Sequence, residues 1–402
     1  MNDQIPTGLR HDLHAYADLL EVPVPPTAAV LGRGRVLRRR RRTLGAAGVA
    51  AASVVLGGSL LLALPGGRDD SAPDPATPPR DAAVFAVGSD VYVDGTPVAV
   101  PGIVHSIHYT SAGVLVRSNQ EHGTSDGSGP EELTLVGADG RSVDLGTVPE
   151  GHTPATDPGL PYYALAEDHD GRSYAVLRDV TSGDEVQRLP LPELPTGAWP
   201  APPLTLSGDV VYADFTDRTY AVDWRTGDDV PVAVDSSEVH AGRVVSSEGP
   251  HRLVLDVHTG RTLLSVTPPK GAYGWLELSP DGGYALEFIE ETADGSEVTS
   301  TQVYDVDTGT SVTLDGAPWE LGWTPDGHLY RVDGDVVTTC SPATGACAEE
   351  TVAIERVPEP SPVERTETTC DKHGENCGTM VWTETPDEPE NKVTLAGRDH
   401  DS

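Results

Sequence analysis

Between Ala82 and Glu355, apolar and polar residues alternate in short runs, and Gly, Asp, Asn or Pro breaks each run after a few positions. A period of two places every second side chain on one face of a strand, and the interrupting residues are those that tight turns demand. Seven of the runs form hairpins that look alike side by side. They read VYVDGTPVAV, LTLVGADGRSVDL, YAVLRDVTSGDEVQRL, YAVDWRTGDDVPVAV, LVLDVHTGRTLLSV, VYDVDTGTSVTL and VVTTCSPATGACAEETV. Their turns fall at Gly95, Gly140, Gly183, Gly227, Gly260, Gly309 and Gly345, at intervals averaging about 42 residues. Each hairpin has an apolar face it cannot bury alone. Repetition near this period marks four-stranded units that are stacked or arranged radially.

A second signal lies between the hairpins. Leu276–Gly282 reads LELSPDG and Leu321–Gly327 reads LGWTPDG, each followed by another strand; Asp281, Gly282, Asp326 and Gly327 are the repeated turn residues. Weaker versions are ALAEDHDGRSYAV at Ala164–Val176 and LTLSGDVVYADF at Leu204–Phe215. The order strand, P-D-G turn, strand, strand, T-G turn, strand makes one propeller blade. The expected fold is therefore an all-β propeller over residues 82–355. Seven hairpins suggest seven blades, with six or eight allowed because terminal strands can close a ring together. A pair of β-sandwiches would use similar strands but would make the repeat accidental.

The S-P-D-G and T-P-D-G turns, with the V-x-D-x-x-T-G hairpins, resemble the WD40-like repeats of TolB-type and related bacterial propellers. The pattern departs from WD repeats proper: no G-H…W-D pairing recurs, and Trp275 and Trp323 occupy inner-strand positions instead. Together with the features before residue 66, the chain is similar to membrane-anchored propeller proteins of actinobacteria, the high-GC Gram-positive group. That resemblance implies a fold and a mode of attachment, not a particular activity.

The features before residue 66 follow a different pattern. Residues 44–65, LGAAGVAAASVVLGGSLLLALP, carry no charge and directly follow Arg38, Arg39, Arg40, Arg41 and Arg42. Such a run, as a helix, rises about 33 Å, enough to span a hydrocarbon core of about 30 Å. The arginines hold their end on the cytoplasmic side. Residues 1–43 carry a net +4 and the rest of the chain −40, within a total of −36. The expectation is a signal anchor, single-pass in the plasma membrane, with a short cytoplasmic segment (1–43) and a large extracytoplasmic portion. A cleaved leader is the rival, but 65 residues is long for one and no A-x-A site follows the apolar run. Leu9, Leu13, Tyr16, Leu19 and Leu20 fall on one side of a short helix in the cytoplasmic segment, ended by prolines from Pro23. Residues 66–81, rich in proline and aspartate, read as an extended linker.

Residues 356–402 change character again, to a Pro/Glu/Thr-rich tail in which Met380–Thr383 and Lys392–Leu395 are expected to pair as a small edge hairpin. All four cysteines lie late, as C-SPATGA-C (Cys340, Cys347) and C-DKHGEN-C (Cys370, Cys377). Outside the cytoplasm, two local disulfides are the simplest of the three pairings that four cysteines allow. A zinc site needs tighter C-x2-4-C spacing.

The strong negative charge excludes nucleic acid as a partner, since a phosphate backbone must be met by a positive surface. The chain holds few aromatic residues, only three of them phenylalanine, and the tryptophans at 199, 224, 275 and 323 read as blade core. GTSDG at 123–127 matches G-x-S-x-G literally, but it sits in a polar loop without the strand-to-helix turn that exposes a nucleophile. His105 and His108, three apart in a strand, face opposite sides of a regular strand and so do not share one metal. The remaining histidines are spread over several blades. No cofactor is implied; calcium is the one cation the acidic turns EDHDG (167–171) and DKHGEN (371–376) would suit, and neither has EF-hand spacing.

With no catalytic motif, the leading expectation is a non-catalytic binding, scaffolding or sensing module at the cell surface, taking a protein or cell-envelope ligand. The sequence leaves its oligomeric state open. The alternatives are an extracytoplasmic lyase or hydrolase with its site at a channel mouth, and a structural protein of the cell envelope.

Overall fold

The seven glycine-turn hairpins fold as the outer strand pairs of seven blades. The structure is a computed structural model that describes residues 83–119, 130–149, 152–193, 202–215, 218–236, 238–270, 272–291, 298–358, 363–370, 377–384 and 391–398. All belong to the unit Ser71–Ser402. Residues 44–65 and Arg38, Arg39, Arg40, Arg41 and Arg42 lie outside them, as do the linker 66–81, Trp199, GTSDG and DKHGEN. Among the described residues no helix is long and apolar enough to cross a membrane.

Blade one contributes β1 (Phe85–Val87), β2 (Asp90–Val93) and β3 (Thr96–Ala99). Blade two is β4 (Ile103–Thr110), β5 (Gly113–Asn119), β6 (Glu131–Val136) and β7 (Ser142–Val148). Blade three is β8 (Ala155–Thr156), β9 (Tyr162–His169), β10 (Arg172–Asp179) and β11 (Glu185–Pro190). Blade four has three ladder strands, β12 (Leu204–Ser207), β13 (Val210–Phe215) and β14 (Arg218–Asp223). Its fourth strand is reduced to a bridge between Val222 and Asp229, because Pro231 has no N–H to continue the ladder. Blade five is β15 (Arg243–Glu248), β16 (His251–Asp256) and β17 (Thr262–Val266), with a bridge from His240 to Arg243 in place of a first strand. Blade six is β18 (Tyr273–Leu278), β19 (Tyr284–Glu291), β20 (Ser300–Asp305) and β21 (Ser311–Asp315). Blade seven is β22 (Gly322–Trp323), β23 (Leu329–Asp333), β24 (Val336–Cys340) and β25 (Cys347–Thr351). A separate hairpin, β26 (Val363–Cys370) with β27 (Cys377–Glu384), follows, and the last strand, β28 (Val393–Leu395), returns to pair with β1.

That return corrects the expected edge hairpin. Val393–Leu395 does not meet Met380–Thr383; it runs antiparallel to Phe85–Val87, and β27 pairs with β26 instead. The pairing joins residues some three hundred positions apart, so local spacing gave no sign of it. A second correction concerns EDHDG. Its turn joins the second and third strands of blade three, not the first and second; Asp170 and Gly171, both with positive φ, make a tight two-residue turn there.

Burial orders the strands within each blade. β4 is buried or half-buried throughout, whereas β25 is exposed throughout, so first strands line the axis and fourth strands the rim. Seven apolar clusters fill the seven gaps between consecutive blades. Trp224 and Trp323 are buried in two of them, and Trp275 packs half-buried against the same cluster as Trp323, stacking on Phe288 at 4.2 Å. The last cluster sets Tyr330 of blade seven against Phe85, Tyr92 and Leu395 of blade one. Seven sheets with seven interfaces is a closed ring, and the count of seven follows.

The hairpin glycines at 95, 140, 183, 227, 260, 309 and 345 all have φ between +67° and +79°, a region that other residues enter at a cost. In four of these turns an aspartate completes the geometry. Asp179, Asp223, Asp256 and Asp305 each accept the glycine N–H at the main-chain oxygen, and their Oδ1 accepts the N–H groups two and three residues on. In blade seven Ser341 stands in that place, and the hairpin is closed instead by the Cys340–Cys347 disulfide across directly paired positions. Cys370 and Cys377 also pair directly in the β26–β27 register.

Two outcomes follow. Ending the chain after residue 390 removes β28 and should destabilise the ring by about 3 kcal/mol or more, through lost burial of Leu395 and lost partners for the Tyr330 hydroxyl; denaturant unfolding measures this. Replacing Cys340 and Cys347 together by alanine should cost about 2–3 kcal/mol by loop-closure entropy, and reducing agent should remove that same contribution from the parent and none of it from the variant.

Candidate functional site

Because strands alternate in direction, each blade's first-to-second and third-to-fourth turns share one end of the ring, here called the front. The second-to-third turns and the crossovers between blades share the back. Both repeated turn motifs therefore lie at the front. The SPDG turn is built by its own side chains: Asp281 Oδ1 accepts from Ser279 Oγ at 2.6 Å and from the Gly283 N–H at 2.9 Å, and Ser279 Oγ accepts the Tyr284 N–H. In the TPDG turn the Thr324 hydroxyl donates to Asp326, whose other oxygen meets His328 Nδ1 at 2.8 Å. Gly282 has φ +66°, and a Cβ there would stand 2.7 Å from the His240 carbonyl of blade five. That glycine serves close blade-to-blade approach as well as the turn.

The front turns are linked from blade to blade. Asp157 of blade three accepts the Gly208 N–H of blade four at 2.7 Å. Arg243 of blade five donates to the Gly282 carbonyl at 2.7 Å and to Asp307 Oδ1 at 2.8 Å, both in blade six. Tyr330 of blade seven donates to the Val84 carbonyl and accepts the Ala396 N–H at 2.7 Å, where the first and last strands meet.

Between these turns opens a cleft of about 740 Å³. It runs across the front from Asp157–Gly159, past Ser207, Ala241 and Arg243, to Pro280, Asp281 and Pro325, and outward to His258, Arg261 and Asp307. Its aspartates are engaged: Asp157 and Asp281 hold turns, Asp307 pairs with Arg243, and Asp256 binds the Thr259 hydroxyl and N–H and the His258 N–H. Those bonds, from Thr259 first, hold the Asp256 carboxyl below its ordinary range. Arg261 makes no side-chain hydrogen bond or ion pair among the described residues. His258 Nδ1 meets the Pro231 carbonyl at 3.1 Å. Ala241, at φ +48°, is a left-handed residue that is neither Gly, Asn nor Asp, and it lines the cleft beside Arg243.

A second polar group lies toward the back, between blades two and three. A bulge between Val104 and Ser106 adds one residue to β4. This overturns the expectation that His105 and His108 face opposite sides: the extra residue slips the alternation, and both reach one network. His105 Nδ1 meets Glu131 Oε1 at 2.6 Å, Arg117 Nε donates to Glu131 Oε2 at 2.6 Å, and His108 Nε2 shares a bond with Ser106 Oγ at 2.9 Å. Burial pushes the Glu131 carboxyl up, but the His105 hydrogen bond and the Arg117 guanidinium outweigh it and hold the carboxyl below its ordinary value. Glu287, in blade six, is the opposite case. It is 6% exposed, its Oε1 has no partner among the described residues, and burial raises its pKa despite a bond from the Tyr304 hydroxyl.

Of the residues singled out in the sequence, Asp281, Gly282, Asp326 and Gly327 meet at the front, and Asp281 borders the cleft. In EDHDG, Asp168 accepts from Ser173 Oγ and His169 lies 3.6 Å from Asp170 at the surface; among the described residues no cluster of His, Cys, Asp and Glu is arranged to hold a metal. Arg243, Arg261, Arg117 and Glu131 were not foreseen. The position of Arg243, directly after a two-residue front turn, was the available signal.

No family model matches the chain, and no curated protein matches it. Among solved structures it is similar to Kluyveromyces lactis Hsv2, with 11% identity over 70% of this chain and 97% of that one and a TM-score of 0.38. It is also similar to Kuenenia stuttgartiensis hydrazine synthase, with 16% identity over 62% of this chain and 80% of that one and a TM-score of 0.38. Likeness at this level carries no argument. The class of the protein, a seven-bladed β-propeller, rests on its own sheets and interfaces.

The two buried glutamates give opposite expectations. Glu131, with a lowered pKa, stabilises the fold above the ordinary glutamate value, and that stability is lost as pH falls through the folded value. Glu131→Gln should cost about 3–5 kcal/mol at neutral pH by removing the carboxylate that faces the buried Arg117 guanidinium. Glu287, with a raised pKa, favours the fold at acid pH and loses that contribution as pH rises through the folded value. Glu287→Gln should therefore stabilise the protein near neutrality, by an amount that shrinks toward about pH 4. Urea unfolding across pH reads both slopes.

Proposed function

We propose that this protein is a membrane-anchored, extracytoplasmic propeller that acts as a non-catalytic binding module, taking a protein or cell-envelope ligand in the front cleft. The observation that carries the reading is the employment of the cleft's charged groups. Each aspartate is committed to a turn or to Arg243, so the carboxylates brace the walls, and the His258 ring is held by the Pro231 carbonyl, while Arg261 is left to meet a ligand. An open cleft with fixed walls and a guanidinium facing into it suits recognition of a polar chain segment. The anchoring half rests on the uncharged stretch 44–65 behind Arg38, Arg39, Arg40, Arg41 and Arg42, and on the acidic remainder. The Cys340–Cys347 disulfide is in keeping with an oxidising compartment. A second bond between Cys370 and Cys377 belongs to the same proposal.

The test has two arms. Protease added to intact, wall-stripped cells should remove the propeller and leave a short protected fragment; a propeller degraded only after lysis contradicts the location. A photo-crosslinking residue at Ser207 should capture a cell-envelope component, and Arg261→Glu should reduce that capture about tenfold, the equivalent of about 1.4 kcal/mol. Undiminished capture contradicts the cleft as the binding site.

A further inference from the structure

Among the described residues the β26–β27 hairpin joins none of the seven blades. Its strands pair over eight residues, from Val363 opposite Glu384 to Cys370 opposite Cys377. Two strands alone leave a row of unpaired N–H and C=O groups along each outer edge, and such a hairpin is marginal in water by itself. The two edges differ in sequence. β26 carries Glu364, Arg365 and Glu367, charges of the kind that guard an open edge. β27 reads CGTMVWTE, with neither charge nor proline from Cys377 to Thr383. In a chain where 63 of 402 residues are acidic, an uncharged seven-residue strand on an open edge is an unguarded pairing surface. Met380 and Val381 are 57% and 55% exposed. As neighbours in a strand they belong to opposite faces, so the hairpin offers apolar side chains to water on both.

The residues around Val381 are nearly symmetric: Thr379, Met380, Val381, Trp382, Thr383. Antiparallel pairing of this strand with itself about Val381 sets Thr379 opposite the partner's Thr383 and Met380 opposite the partner's Trp382. Thr–Thr and Met–aromatic pairs are among those favoured across strands. Glu384 falls opposite the partner's Gly378, so no like charges meet. We propose that β27 is a self-association edge, through which two copies of this chain pair about a two-fold axis at Val381. The two hairpins then form one four-stranded sheet with a closed, isologous contact. The hairpin leaves the ring in the crossover between β25 and β28, which is at the back. Dimerisation therefore leaves the front cleft open and stands or falls independently of the ligand proposed for it.

The net charge opposes this contact and salt screens that opposition, over a Debye length of about 8 Å at physiological ionic strength. Dimerisation through an uncharged strand of an acidic protein must therefore strengthen as salt is added. The test is the mass of the full chain in detergent micelles, by sedimentation, from low to high sodium chloride. The expected result is a dimer that tightens with salt. Val381→Lys, which sets two ammonium groups together at the axis, should weaken it at least about tenfold, whereas Thr366→Lys on β26 should leave it intact. Amide exchange of β27 should slow with rising protein concentration in the parent and not in Val381→Lys. A monomer at all salt concentrations, a dimer weakened by salt, or a dimer indifferent to Val381→Lys would each overturn the proposal.

Discussion

A propeller blade has two apolar faces and can cover neither by itself. That constraint governs this chain. Each of the seven sheets gains its burial only from the next, and the first and last sheets gain theirs only if the first and last propeller strands meet. The β28–β1 pairing supplies that meeting. Around it Phe85, Tyr92, Tyr330 and Leu395 pack together, and the Tyr330 hydroxyl bonds the residues that flank the two strands, Val84 before β1 and Ala396 after β28. A short strand of three residues thus turns a row of sheets into a ring, and without it two large apolar faces would stand in water.

Closure also creates the front cleft. The turns that line it come from blades three to seven, and their relative positions are held by bonds that cross between blades, from Asp157 to Gly208 and from Arg243 to Gly282 and Asp307. Of the aspartates near the cleft, Asp157 and Asp307 are engaged in those cross-blade bonds, and Asp256 and Asp281 in their own turns. What remains for recognition is set by which side chains the bracing leaves unengaged, Arg261 above all. At the back a different arrangement holds: in the Arg117–Glu131–His105 group, buried at a blade interface, the Glu131 carboxylate is paired with both neighbours, and Arg117 also reaches Thr153 of the next blade.

Local chemistry made much of this legible in the sequence. A glycine in the left-handed region after an aspartate is a turn wherever it occurs, so the hairpins at Gly183, Gly227, Gly260 and Gly309 announced themselves, and their spacing announced the repeat. The P-D-G turns did so for two blades only, because elsewhere the first-to-second turn is made by other means, such as Ala241–Gly242. What escaped was non-local or depended on a single extra residue. The strand Val393–Leu395 finds its partner at the far end of the chain, and no spacing rule points there. The bulge at His105 reverses the parity of everything before it in β4, so a histidine pair assigned to opposite faces shares one network. The cleft was hidden for the same reason: its residues come from five blades and converge only after the ring closes.

The central claim is that β1 and β28, the first and last strands of the propeller, are locked into the ring. Amide hydrogen exchange measured residue by residue tests it most directly. Locked ends require that the paired amides of Phe85–Val87 and Val393–Leu395 exchange only with the slowest, globally protected set. Exchange of those amides orders of magnitude faster than that of β5 or β10, in the manner of a fraying terminus, would contradict a ring closed by β28.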